Sequence, residues 1–270
     1  MPELRVDGAA LHYADTGGSG PPVVLLHAFP LSSAMWSAQL EALAGRYRGI
    51  APDLRGFGGS DVPVEPASYS MDGYADDVAA LIDHLGCGPV TLVGLSMGGY
   101  VAFAFLRRHR RLVRALVLAD TRSAADSDEV RRRRAAQQRE VGQGRARAVI
   151  DAMANVLLSD RVYPVVRDRV VALMDQPPVG IIGALEAMKH RPDATPGLGA
   201  IDVPTLVVVG EEDPTAPVVT ARATHQAIPG SELVVLPGAA HLANLEAPAA
   251  FNDALLGFLD RVGPRPPAGA

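Results

Sequence analysis

A serine with glycine two places to either side, in Gly94-Leu95-Ser96-Met97-Gly98, ends the apolar run Val90-Thr91-Leu92-Val93. This spacing suits a sharp strand-to-helix turn, with a strained serine backbone and its hydroxyl raised above a sheet. A β-carbon at either glycine would collide with the neighbouring strand and helix. The turn also aims the N-terminus of the next helix at the reaction centre, where its partial positive charge favours an anion. A serine hydroxyl is a weak nucleophile near neutral pH. It needs a base, usually histidine, and the histidine needs an orienting carboxylate.

Seven histidines are present. His241 stands out, because it follows the apolar run Leu233–Leu236 in the loop Pro237-Gly238-Ala239-Ala240-His241. The carboxylate should leave the preceding strand, and Val209-Gly210-Glu211-Glu212-Asp213-Pro214 supplies Asp213. Asp120, at the end of the run from Leu112, is the alternative acid. Glu211 and Glu212 read as helix-entry charges. Asp53 and Arg55, in the glycine-rich stretch Asp53–Ser60, read as braces for that loop.

The elements that must position these groups alternate between short Val/Leu-rich runs and helical patterns, the mark of a mainly parallel sheet covered on both faces. Strands are expected at Leu4–Val6 and Leu11–Asp15 (a hairpin across Gly8), Val23–Leu26, Arg48–Ala51, from Val90, Leu112–Ala119, Thr205–Val209 and Leu233–Leu236. Helices are expected from Ser33, over Met71–Leu85 with Asp72 as cap, from Ser96 to Arg108, and over Pro248–Leu259. Residues 122–199 break the strand pattern. They carry thirteen basic and ten acidic residues, which leaves the rest of the chain at −8. An insertion there reads as a helical cap over the sheet's C-terminal edge, with residues 1–121 and 200–262 forming the core. The run Arg131–Arg134 covers every face of a helix and reads as a solvated, salt-bridged surface. Residues 263–270 read as a disordered tail.

A net charge of −5 over 270 residues excludes nucleic acid as the main partner on electrostatic grounds. No apolar stretch approaches bilayer-spanning length and no signal pattern opens the chain, so a cytoplasmic protein without a membrane partner is expected. The single cysteine, Cys87, excludes disulfides within the chain and reads as a buried structural thiol. No His, Cys and carboxylate cluster has metal-ligand spacing, and no dinucleotide fingerprint follows the first strand.

Together, Leu26-His27-Ala28-Phe29-Pro30, Pro52–Ser60, Gly94–Gly99, Gly210–Asp213 through Pro217, and Gly238–His241 resemble the α/β-hydrolase superfamily. Within it the chain looks most like small bacterial carboxylesterases and 3-oxoadipate enol-lactonase-like hydrolases. The resemblance implies an α/β class fold with a mostly parallel eight-stranded sheet, and a cap inserted after the sixth strand. It also implies a Ser96–His241–Asp213 triad and an oxyanion hole from the backbone N–H groups of Phe29 and Met97. Ala28 departs from the glycine often found beside the oxyanion loop. The expected substrate is a small-molecule ester or lactone, cleaved without a cofactor. Pocket positions are assigned to His27, Trp36, Arg122 and Arg191, the two arginines as partners for a carboxylated substrate, with a hydrogen-bonded structural role as the rival reading of His27 and core packing as that of Trp36. Carbon–carbon bond hydrolases, thioesterases and perhydrolases share such a triad, and a hydrolase-like ligand receptor is a further alternative. Halide- and epoxide-processing relatives use aspartate at the elbow, which Ser96 argues against.

Overall fold

The strands that precede Ser96, Asp213 and His241 are built from near-continuous apolar runs, which suit positions covered on both faces. The computed structural model describes residues 2–6, 8–65 and 68–263. It contains one eight-stranded sheet in the order β1-β2-β4-β3-β5-β6-β7-β8. The strands are β1 (Glu3–Val6), β2 (Ala9–Asp15), β3 (Pro22–Leu26), β4 (Arg48–Pro52), β5 (Val90–Leu95), β6 (Val113–Ala119), β7 (Thr205–Gly210) and β8 (Glu232–Leu236). β1 pairs antiparallel with β2, and β2 with β4, while every other pairing is parallel. The parallel strands therefore all present their C-terminal ends at one edge.

Strand alternation divides the interior into two cores. Val24, Leu26, Leu92 and Leu118 face one side, against Tyr74 and Val78 of α2 (Met71–His84) and Val101 and Phe105 of α3 (Met97–His109). Val23, Leu25, Val93 and Val117 face the other, against Leu43 of α1 (Ser37–Leu43) and Phe251, Leu255 and Phe258 of α10 (Pro248–Val262). The sheet is thereby held rigid between two helical layers, which fixes the loops at its C-terminal edge.

Between β6 and β7 lie α4 (Asp128–Gly142), α5 (Ala146–Leu157), α6 (Pro164–Leu173) and α7 (Pro178–Lys189), with no strand among the described residues of that stretch. Arg134 from the arginine run is not solvated: it donates to the buried Asp126 at 2.6 Å. Among the described residues, no single helix is long and apolar enough to cross a membrane. The bent pair α6–α7 passes by length and composition only when taken together.

Several details differ from the expected elements. Ser70, not Asp72, caps α2: its hydroxyl accepts the Gly73 N–H at 2.9 Å, because its extended backbone turns the side chain toward the helix end. The helix expected from Ser33 starts as a 3₁₀ turn over Ser33–Trp36 and becomes α1 only at Ser37. Glu211 and Glu212 enter no helix. They sit in a turn, where Glu211 accepts the Gly238 N–H and Glu212 pairs with Arg161. Two further helices, α8 (Val218–Ala227) and α9 (Ala243–Glu246), carry too weak an apolar period to stand out in the sequence. The tail assigned to 263–270 lies outside the described residues from 264 onward.

Candidate active site

Ser96 joins β5 to α3 at φ 54° and ψ −111°. A non-glycine residue at positive φ costs about 1–3 kcal/mol, so its surroundings must hold it there. The Ser96 amide donates to Ala119 O at 3.0 Å, and its carbonyl accepts from Thr121 Oγ1 at 2.8 Å and from the Gly99 N–H at 2.9 Å. The glycines make room. A Cβ at Gly94 would lie 2.3 Å from Gly98 O, and one at Gly98 would lie 2.1 Å from Leu26 O on β3. The elbow is thus close-packed against both its own helix and the next strand.

His241 lies beyond β8, with its amide donating to Leu157 O at the end of α5, 3.1 Å away. Glu246 on α9 braces the same loop: Oε1 accepts the Ala240 N–H at 3.1 Å, and Oε2 accepts the Ser159 N–H at 2.9 Å. Asp213 follows β7. Its Oδ1 accepts the Thr215 and Ala216 amides at 2.7 and 3.0 Å. Oδ2 lies 2.8 Å from His241 Nδ1, and His241 Nε2 lies 2.8 Å from Ser96 Oγ. With the proton on Nδ1, the imidazole donates to Asp213 and presents Nε2 to the serine hydroxyl. Both Asp213 and His241 are buried. Burial alone would push the Asp213 carboxyl up. The charge and hydrogen bond of His241, with the two amides, outweigh it and hold the carboxyl below its usual range.

Asp120, the rival acid, lies beside this group without contacting the histidine. It sits at φ 45°, fully buried at the end of β6, and its Oδ1 accepts the Gly210 N–H at 2.8 Å. Its Oδ2 is buried with no hydrogen-bond partner. Burial, reinforced by the negative charge of Asp213, raises the Asp120 carboxyl well above its ordinary range.

Phe29 and Met97 occupy the two positions expected to hold an oxyanion. Among the described residues, neither main-chain N–H donates to a protein acceptor. Pro30 follows Phe29 and has no N–H, and Met97 is the first residue of α3.

The other pocket assignments fare differently. His27 is fully buried, its Nδ1 bonded to Ala28 O at 2.9 Å and its Nε2 accepting the Leu54 N–H at 3.0 Å. Burial holds the ring below its ordinary pKa, and both nitrogens are spent, so it is a structural strut and not a substrate contact. Trp36 is fully buried, packed 5.9 Å from the Phe251 ring between α1 and α10. It is a core residue. Arg122 and Arg191 do come together, but in the wall of a cleft to which Ser96, Asp213, His241, Phe29 and Met97 contribute nothing. Asp53 does brace the glycine loop, accepting the Ser33 and Gly59 amides at 2.7 and 2.9 Å. Arg55 instead ties the loop to Asp77 on α2.

Thr121 and Glu246 escape sequence reasoning altogether, since a hydroxyl or carboxylate that bonds only to backbone leaves no motif. Among the described residues, no group of His, Cys, Asp and Glu could hold a metal ion.

The eight-stranded, mostly parallel sheet with Ser96, Asp213 and His241 at one edge is that of an enzyme of the α/β-hydrolase class. The family model described as "alpha/beta hydrolase fold" matches residues 21–248, and the chain belongs to that family. The non-heme chloroperoxidase of Kitasatospora aureofaciens is 33% identical, over 94% of this chain and 98% of its own. Among solved structures, a thermophilic esterase from Thermogutta terrifontis superposes with a TM-score of 0.92 at 38% identity, covering 97% of this chain and 99% of its own. The enol-lactonase from Burkholderia xenovorans gives 0.88 at 30% identity, covering 96% and 100%.

Proposed function

We propose that the protein is a serine hydrolase that cleaves carboxylic esters or lactones of a small molecule through an acyl-enzyme. His241 Nε2 takes the proton from Ser96 Oγ as the oxygen attacks the carbonyl carbon. The tetrahedral oxyanion is received by the Phe29 and Met97 amides, the latter aided by the dipole of α3. Collapse expels the alkoxide, which His241 protonates. The same histidine then activates water, and the acid leaves with Ser96 restored. Asp213 holds the imidazole tautomer and supports the imidazolium. These steps need no cofactor. Residues 122–199 serve as the cap, consistent with the bond from the His241 amide to Leu157 of α5.

The observation that carries this reading is the unbroken hydrogen-bond chain Asp213–His241–Ser96, 2.8 Å at each link. The esterase and enol-lactonase among the similar structures support ester and lactone bonds as its targets. Steady-state assays with p-nitrophenyl acetate and butyrate, and with a small lactone, test it. Wild type should turn over repeatedly and Ser96→Ala should not. Slow single-turnover binding by the wild type would favour a receptor instead.

A further inference from the structure

A cavity of about 470 Å³ lies between α3, the start of α2 and the segment 191–202. Its apolar wall includes Met71, Phe103, Ala104 and Leu198, and its polar wall includes Tyr100, Arg122 and Arg191. These arginines belong to a group short of negative charge. Asp126, its side chain fully buried, is shared by Arg134 at 2.6 Å, by Arg191 in close contact and by Arg122 at 3.8 Å. Arg191 is 5% exposed, spends its terminal nitrogens on Asp126, Met188 O and Ala124 O, and keeps a buried Nε with no partner. Its guanidinium lies over the Tyr100 ring, 3.9 Å from the centroid. Arg122 has a buried, unpartnered Nε as well.

Uncompensated buried charge is costly, and a planar carboxylate matches a guanidinium in two-point geometry. The other charges of the wall do not supply the missing anion. Arg107 and Arg110 are answered by Asp72 and Asp202, and Asp193 is bonded to the Thr195 amide. Burial would push the Tyr100 phenol up, yet Arg191, Arg122 and Arg134 together bring it below its ordinary value, a sign of the local positive field. Asp193 and Asp202 on the wall disfavour a multiply charged phosphate. The apolar wall calls for a hydrocarbon body.

We propose that this cleft is a second ligand site, taking a small monocarboxylate with an aryl or short alkyl body. The carboxylate sits on Arg122, whose donors are the least used, with Arg191 and Tyr100 behind it. The body lies against Phe103 and Leu198. The site is separate from the ester-cleaving centre and does not depend on that assignment.

Calorimetric titration with 3-phenylpropanoate and its neutral amide tests this, on the full chain before and after treatment with a phosphonate that blocks an active-site serine. The carboxylate should bind at least tenfold tighter than the amide, equally well on blocked protein. Arg122→Gln should remove most of that preference. Gly197→Glu is the second probe, because a Cβ at this lining position meets nothing within 4 Å and the fold should tolerate it. Its added negative charge should weaken the carboxylate at least fivefold and leave the amide within twofold. Binding lost on blocked protein, equal affinity for acid and amide, or indifference to both substitutions would overturn the proposal. A protein that takes up no phosphonate contradicts the hydrolase reading, while the two variants still decide the cleft.

Discussion

Two polar clusters diverge from the end of β6, one from Asp120 and the other from Arg122. At the proposed catalytic edge, Asp213, His241 and Ser96 are joined by single hydrogen bonds. Around Asp126, three guanidiniums share one carboxylate, and two Nε atoms have no partner. The first cluster is complete as it stands and needs only a substrate carbonyl. The second is complete only with an anion from outside. Neighbouring positions on one strand end can therefore serve a preorganised reaction centre and a ligand-dependent one.

The contrast breaks most visibly at the catalytic edge. His241→Ala should lower kcat by roughly 10⁴-fold, and Asp213→Asn by a comparable factor, because each removes a member of a unit acting together. Stopped assays on p-nitrophenyl butyrate read this directly. Loss of either residue with activity within tenfold of wild type would mean that the hydrogen-bond chain is not the working device.

Packing at the elbow comes next. Gly98→Ala puts a Cβ 2.1 Å from Leu26 O, a backbone atom that cannot swing aside. Overpacking of this kind costs about 1–3 kcal/mol. Thermal melts should show the loss, and activity should fall with it because the serine is displaced.

Asp120 sharpens the comparison through pH. Its folded-state carboxyl is raised, so its contribution to stability is present below the unfolded value of about 4 and is lost as pH rises through the folded value. Asparagine keeps the acceptor for Gly210 and does not ionise. Asp120→Asn should therefore match wild type near pH 4 and gain on it progressively as pH rises in denaturant titrations. Asp120→Ala should lose about 1–3 kcal/mol, since the buried Gly210 N–H is left unmatched. If the Asn variant kept a constant difference from wild type at every pH, the raised Asp120 carboxyl would be excluded as a source of pH dependence.

The grouping of Ser96, Asp213 and His241 was readable because its spacing is constrained by the sheet: each residue must follow a particular strand end, and the Val/Leu runs mark those ends. Ser96, Asp213 and His241 all fall where parallel strands stop. The arginine cluster has no such constraint. Arg122 and Arg191 lie at the two ends of the helical insertion, while Asp126 and Arg134 lie within it, so only the folded insertion reveals their meeting. His27 and Trp36 each carried a structural reading beside the pocket one, and both are fully buried. The inward turn of both side chains sends one to backbone partners and the other into the α1–α10 core. Ser70 shows the same limit on a smaller scale, where the cap was decided by backbone direction two residues before Asp72. Ser70→Ala should cost about 1 kcal/mol, the smallest of these effects, measurable as a shift in the denaturation midpoint.

The central claim is that Ser96 is the nucleophile, and a covalent trap tests it most directly. A p-nitrophenyl phosphonate should release one equivalent of nitrophenol per chain and leave one adduct, which peptide mass spectrometry finds on Ser96. The label should be absent from Ser96→Ala and strongly slowed in His241→Ala. An adduct on another residue, or full esterase activity retained by Ser96→Ala, would contradict the account.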